Sequence, residues 1–238
     1  SGNRQWRRLV EALSPSYRCF APNLLGYGAT TRWPGERPQT LDDAMEVVLQ
    51  LCDTVARPIR LVGHSWGASV ALATANRLGA GVSHLALYEP AMAGLLLGHG
   101  RAQASAEMFR LYDAVRALGD AGRWMALAEV FTDYFNGPGA WAATPPERRE
   151  VIADQIPPNR HEWDAGASSR TAHSFDAVTA RTLVLRGALS PLALRETVDV
   201  LCEAFPHWRL REIEGAGHMG PLTHHAVVNA ELRSFFSE

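Results

Sequence analysis

Two spacings of apolar residues alternate along this chain. Short β-branched or apolar runs at residues 17–21, 59–62, 84–88, 182–185 and 208–213 predict buried strands. Between them, apolar positions recur every three or four residues, the spacing of a helix face. Trp6, Leu9, Val10 and Leu13 share one face of a first helix, and Leu41, Ala44, Val48, Leu51 and Val55 form the stripe of a second. Thr40 precedes that second helix as an N-cap. Asp42 and Asp43 fall in its first turn, where a carboxylate meets the positive end of the helix dipole. A third helix begins after Ser65, with Ala68, Ala71, Leu72 and Ala75 inward and Gly79 as its stop. Ser190 and Pro191 open a helix that runs to Phe205, as N-cap and first helical residue. Thr223 caps a last helix that carries Ala226, Val227, Ala230, Leu232 and Phe235. Alternation of this kind predicts an α/β protein, with a mostly parallel sheet and helices on both faces.

The alternation stops between residues 91 and 176. Helical spacing continues there, at 102–118, 123–134, 146–155 and 162–174, with no strand between. Many of the bulky aromatics fall in this stretch, among them Trp124, Phe131, Phe135, Trp141 and Trp163. Both of its ends adjoin predicted strand ends. The expected organisation is therefore a core of residues 1–90 and 177–238 with a helical cap, 91–176, over the carboxyl edge of the sheet, where open α/β folds hold ligands. Met92, Trp124, Phe131 and Met219 are the expected substrate-binding side chains.

Composition narrows the function. The chain has 238 residues, 47% of them hydrophobic, enough for one large domain with a buried core. A net charge of −2 and scattered arginines supply no basic face, so neither a nucleic acid nor an anionic membrane is expected as a partner. Cys19, Cys52 and Cys202 lie far apart, which points to reduced thiols and a cytoplasmic protein and offers no zinc site. The apolar stretch 91–97 is too short to span a bilayer, and no signal peptide is visible. Gly26-Tyr27-Gly28 does not extend to a dinucleotide fingerprint and there is no Walker motif, so no cofactor is expected. The expected partner is a small-molecule substrate, met by a monomer or homodimer.

The strongest chemical signal is Gly63-His64-Ser65-Trp66-Gly67, a G-x-S-x-G that follows a predicted strand and precedes a predicted helix. A sharp strand-to-helix turn pushes the serine above the sheet in a strained conformation, and flanking glycines relieve the crowding. With this pentapeptide in place, the sequence resembles the α/β-hydrolase superfamily over essentially its whole length. Four further stretches resemble landmarks of that family in its order: Pro22-Asn23-Leu24-Leu25-Gly26-Tyr27-Gly28, Ala86-Leu87-Tyr88-Glu89-Pro90, Leu183-Val184-Leu185-Arg186-Gly187 and Gly215-Ala216-Gly217-His218-Met219. The resemblance implies Ser65 as nucleophile, His218 as general base and the backbone N–H of Trp66 as one oxyanion donor. It also implies earlier strands and a second oxyanion donor ahead of Ser1, so the N-terminal strands of the fold are expected to be absent from this sequence.

The third member of such a triad is displaced. The family's acid usually follows the strand before the histidine loop, but Gly187-Ala188-Leu189-Ser190-Pro191 contains no carboxylate. A second location within the superfamily, the end of the strand after the nucleophile helix, is occupied by Glu89. Asp176 and Asp199 stand as further candidates. A serine nucleophile with a histidine base implies hydrolysis of an ester, thioester or related bond, C–C bonds included, in a small, moderately hydrophobic substrate. The alternative is a non-hydrolytic member of the same fold, a ligand-binding module or a lyase or transferase with an altered triad acid.

Overall fold

Among the residues that the computed structural model describes, 2–168 and 170–238, four strands form one parallel sheet. They are β1 Ile59–His64, β2 Val82–Tyr88, β3 Arg181–Gly187 and β4 Arg209–Ile213, hydrogen-bonded in that order. Ser1, and Ser169 within the helix expected over 162–174, lie outside the described residues. In register, Gly63 of β1 faces Leu87 of β2, and Leu87 faces Val184 of β3. The central strands read as continuous apolar runs because both faces are covered. Leu85, Leu87 and Val184 point into one core with α3 (Trp66–Leu78) and α2 (Leu41–Cys52). Ala86, Tyr88, Leu183 and Leu185 point the other way, against α1 (Arg7–Leu13) and α12 (His225–Phe236).

Residues 17–21 form no strand. Their burial alternates, with Tyr17, Cys19 and Ala21 partly covered and Arg18 and Phe20 exposed, yet among the described residues no strand pairs with them to complete a ladder. An alternating pattern records one half-buried face, whereas a strand also needs a hydrogen-bonding neighbour.

The stretch between β2 and β3 is helical: α4 Ala93–Gly98, α5 Ala102–Asp120, α6 Trp124–Asn136, α7 Ala140–Ala143, α8 Pro146–Gln155 and α9 Asn159–Ala167. A separate apolar cluster holds these helices together, with Met108, Leu111, Val115, Leu127 and Phe135 at its centre. It includes Ala193 and Leu194 of α10 (Leu192–Ala204), and α5 packs on α4, α6, α9 and α10. The helix expected over 162–174 instead begins at Asn159, stops at Ala167 and gives way to a 3-10 turn at Ala172–Phe175.

Helix starts follow the local rules unevenly. Thr40 and Asp43 close a full capping box on α2, and Val55 lies past that helix's end at Cys52. At α10 the N-cap is Pro191 rather than Ser190, and a remote carboxylate takes over: Glu107 Oε1 on α5 accepts from the Ala193 N–H at 3.2 Å. Thr223 ends a short helix, α11 Gly220–Thr223, and His224 is the cap position of α12. The buried face of α12 is Val228, Leu232, Phe235 and Phe236, leaving Val227 half exposed. Among the described residues no helix is long and apolar enough to cross a membrane.

Candidate active site

β1 delivers its last residue, His64, directly into the turn that carries Ser65, and α3 starts at the next position. Ser65 adopts φ 56°, ψ −125°, a conformation that L-residues reach only under constraint. The neighbouring backbone shows why Gly63 is required. A Cβ there would run into the Gly67 carbonyl and the Ala68 Cα as α3 folds back over the strand. Gly67 is different, since a Cβ added there meets open space. Of the two glycines in the motif, only the first relieves backbone crowding. Trp66 and Gly67, as the first two helical positions, have amides without an intrahelical acceptor and lie where the helix dipole favours negative charge.

Glu89 follows the end of β2 and is, among the described residues, the other non-glycine position with a left-handed φ, 46°. It is fully buried, and each carboxylate oxygen has one donor. The Gly187 N–H gives a hydrogen bond to Oε1 at 2.6 Å, and His218 Nδ1 lies 2.7 Å from Oε2. On its other side, His218 Nε2 lies 2.9 Å from Ser65 Oγ. The carboxylate can only accept, so it fixes the proton on Nδ1 and leaves Nε2 to accept from the serine hydroxyl. An imidazole held in this tautomer can take the serine's proton. Asp199 instead pairs with Arg186 at 2.6 Å and Asp176 with His173 at 3.4 Å, while the Ser190 hydroxyl is buried without a partner.

Three contacts hold the histidine loop. The Tyr88 hydroxyl donates to the Gly217 carbonyl at 2.9 Å, and burial with the nearby Glu89 charge raises its pKa, so it remains a donor. His64 Nε2 lies 2.8 Å from the His218 carbonyl, and burial together with the neighbouring His218 keeps the His64 ring well below the usual histidine range and neutral. Phe135 of α6 stacks on the His218 ring at 4.4 Å between centroids. Gly187 and Gly220 permit the tight fit, since a Cβ on either would strike the Ala216 carbonyl or the Tyr88 hydroxyl. His64 and Tyr88 lie within the nucleophile turn and the β2 end, next to Ser65 and Glu89, but their partners on the histidine loop are more than a hundred residues away and show only in three dimensions.

Ser65 and His218 open into a concavity of about 1020 Å³ that also runs along the outer edge of β1 and past α1, where Ile59, Leu61, Leu9 and Leu13 line it. Its walls on the helical side include Met108, Phe131, Ile152, Ile156 and Trp163. Of the four side chains expected to bind substrate, Phe131 and Met219 line it. Met92 is buried in the core beneath, and Trp124 sits at the outer start of α6 beside a separate shallow depression. A further polar group on the wall was not singled out from sequence: Glu162 of α9, joined to Tyr27 and Asn159. Burial raises its carboxyl pKa to about 7, opposed first by the positive charge at the chain's N-terminus and then by the Tyr27 and Asn159 hydrogen bonds. Among the described residues, no group of three or more His, Cys, Asp or Glu side chains converges as a metal site would require.

Known proteins share this arrangement of elements. A family model described as the alpha/beta hydrolase family matches residues 1–231. The chain is 26% identical over 240 residues to the 2-hydroxymuconate semialdehyde hydrolase of Pseudomonas sp. (strain CF600), covering 98% of this chain and 81% of that protein. It is 29% identical over 249 residues to Lipase LipV of Mycobacterium tuberculosis (strain ATCC 25618 / H37Rv), covering 97% and 87%. The solved esterase EaEST from Exiguobacterium antarcticum superposes with a TM-score of 0.79 at 17% identity, over 100% of this chain and 88% of that one.

Proposed function

The chain belongs to the alpha/beta hydrolase family, and on that premise we propose that it is a serine hydrolase acting through an acyl-enzyme on Ser65. The observation that carries this reading is the unbroken line from Glu89 Oε2 through His218 to Ser65 Oγ, at 2.7 and 2.9 Å, on the border of an apolar cavity. Ser65 Oγ bonds to the substrate's carbonyl carbon as its proton passes to His218 Nε2. The Trp66 N–H faces the developing oxyanion, and Glu89 stabilises the imidazolium. Collapse breaks the bond to the leaving group, which takes the proton from His218. Water then gives a proton to the same nitrogen and attacks the acyl carbon, and collapse breaks the bond to Ser65 Oγ, which takes back the proton from His218 as the acid is freed.

Residues 91–176 act as the cap that shapes the substrate. The aromatic and aliphatic side chains on that wall, Phe131, Ile152 and Trp163 among them, favour a small, moderately hydrophobic acyl group. Of the two curated relatives, one is named as a semialdehyde hydrolase and the other as a lipase, so their names agree on the class of enzyme and not on the substrate. The lipase, together with the serine nucleophile, supports a carboxylic ester here. Glu89 beside His218 also supports hydrolysis over a non-hydrolytic use of the fold, because the ground for the latter was the missing acid near Ser190.

A fluorophosphonate probe tests the reading. It labels the wild-type protein on Ser65, and Ser65→Ala abolishes both labelling and p-nitrophenyl ester hydrolysis. Ester hydrolysis that survives in Ser65→Ala would refute the assignment.

A further inference from the structure

Phe135 is a side chain of the helical stretch that meets the catalytic base face to face. Its ring lies 4.4 Å from the His218 ring between centroids, and the two planes are 29° apart. The contact is dry, with His218 2% and Phe135 7% exposed. A second ring beside the histidine, His64, lies at 4.7 Å but is tilted by 47°, and its own neutrality leaves the imidazole no charge to meet there.

The Phe135 ring is fixed from several sides. Phe131, four residues earlier on the same face of α6, meets it edge to face at 4.6 Å and 63°. Tyr134 meets it at 4.8 Å and 82°. The Tyr134 hydroxyl donates to Glu107 Oε1 at 2.8 Å, the same atom that accepts from the Ala193 N–H at the start of α10. The ring is thus tied to α5 and α10 as well as to its own helix.

The end of α6 adds a partial charge of the right sign. Phe135 is the last residue but one of that helix, where carbonyls lack intrahelical donors and the dipole is negative. A Cβ at Gly217, the residue before His218, would lie 3.9 Å from the Phe135 carbonyl oxygen, so this helix end rests on the histidine loop. An electron-rich ring face and a helix C-terminus both favour a cation. The imidazole becomes one only as it takes the proton of Ser65. The contact is therefore stronger in the transition state than in the resting enzyme, which is the condition for a rate effect.

We propose that Phe135 is a positioning residue of the reaction, whose ring holds the His218 imidazole in line with Ser65 and stabilises the positive charge that it gains. The inference rests on the Ser65 reading and extends it. The helical stretch supplies part of the base's surroundings in addition to a wall of the cavity, which Phe135 also lines.

Fluorinated phenylalanines test this, because each fluorine withdraws charge from the ring face and changes its size little. Phe135 is replaced by 4-fluoro-, 3,5-difluoro- and pentafluorophenylalanine. The rate of Ser65 modification by a fluorophosphonate and the turnover of p-nitrophenyl butyrate are then measured. Both are expected to fall stepwise with the number of fluorines, by about tenfold or more at the pentafluoro ring. The loss is expected in kcat, with KM within about twofold of the wild type. A ring that only fills space would not grade with fluorine number. A flat series, with the wild type labelled on Ser65, overturns the proposal and leaves the Ser65 reading standing. A loss confined to KM marks a plain wall contact and overturns it too, as does a Phe135→Leu variant that reacts as fast as the wild type. A wild-type protein that takes no label on Ser65 overturns both.

Discussion

Glu89, just beyond β2, and Glu162, on α9, are both buried, at 0% and 7% exposure, yet their surroundings assign them opposite tasks. Each oxygen of Glu89 has its own N–H donor, from Gly187 and from His218. Nothing remains for a ligand, and the negative charge is directed at the imidazole. Both donors to Glu162 fall on a single oxygen, and neither carries a charge. Burial then dominates and lifts its carboxyl to about 7. Burial alone therefore does not define the role of an acidic residue; the distribution of donors over its two oxygens does. One arrangement suits a group that serves a neighbouring imidazole, the other a group that ties α9 to the Tyr27 loop.

Neutralising the two residues separates these tasks. Glu89→Gln presents an amide nitrogen either to His218 Nδ1–H or to the Gly187 N–H, a donor facing a donor. Turnover of every ester in a series is expected to fall together, by about 10³–10⁴-fold in kcat, with circular dichroism verifying the fold. Glu162→Gln, whose amide oxygen can keep both donors, is expected to leave turnover of the same series nearly unchanged. If Glu89→Gln left turnover as little changed as Glu162→Gln does, the contrast between the two residues would collapse.

Stability provides a smaller and independent contrast. Glu162→Leu leaves the Tyr27 hydroxyl and an Asn159 N–H without their acceptor, whereas Glu162→Gln keeps it. Urea denaturation is expected to place the leucine variant about 1–3 kcal/mol below the glutamine variant. Equal stabilities would mean that the three-residue ring contributes nothing to holding α9 on the Tyr27 loop.

The smallest effect is a pH dependence whose sign follows from the raised carboxyl. Between the ordinary glutamate value of 4.5 and about 7, the folded protein holds a proton on Glu162 that the unfolded chain has released. The folded state thus binds more protons in this window, and its contribution to stability is complete below 4.5 and is lost as the pH rises through 7. Thermal melts at low ionic strength are expected to show Tm declining across this window by a few degrees, and Glu162→Gln is expected to flatten that component. A wild-type curve that rose as steeply as that of the variant would contradict the assignment.

The legible parts of this protein are those written within a few residues of one another. The Gly63-His64-Ser65-Trp66-Gly67 turn, the strand before it and the helix after it are local, and so is the Gly-Ala-Gly loop ahead of His218. Glu89 was open as a candidate acid because its strand end is local too, but its choice over Asp176 and Asp199 needed the 129-residue separation from His218 to be closed in space. What sequence missed is non-local in the same sense. Residues 17–21 carry a strand's pattern without a strand beside them, and α10 is capped by Glu107, 86 positions away, rather than by Ser190 next to it. In the helical stretch, aromatic content predicted a lined cavity but not its lining. Phe131 lines the cavity while Trp124, on nearly the same face of α6 but about 10 Å earlier along its axis, does not, because reach along the helix, set by how α6 is docked, decides which side chains meet the cavity.

The central claim is that Ser65 is made nucleophilic by His218 under the charge of Glu89. The rate at which a fluorophosphonate modifies Ser65, followed by intact mass in the wild type and in Glu89→Gln, tests it most directly, because a single covalent step is read without substrate specificity or product release. The account predicts one adduct per chain, located on Ser65, forming about 10³-fold more slowly or worse in the variant. Equal rates in the two proteins, or an adduct on another residue, would contradict it.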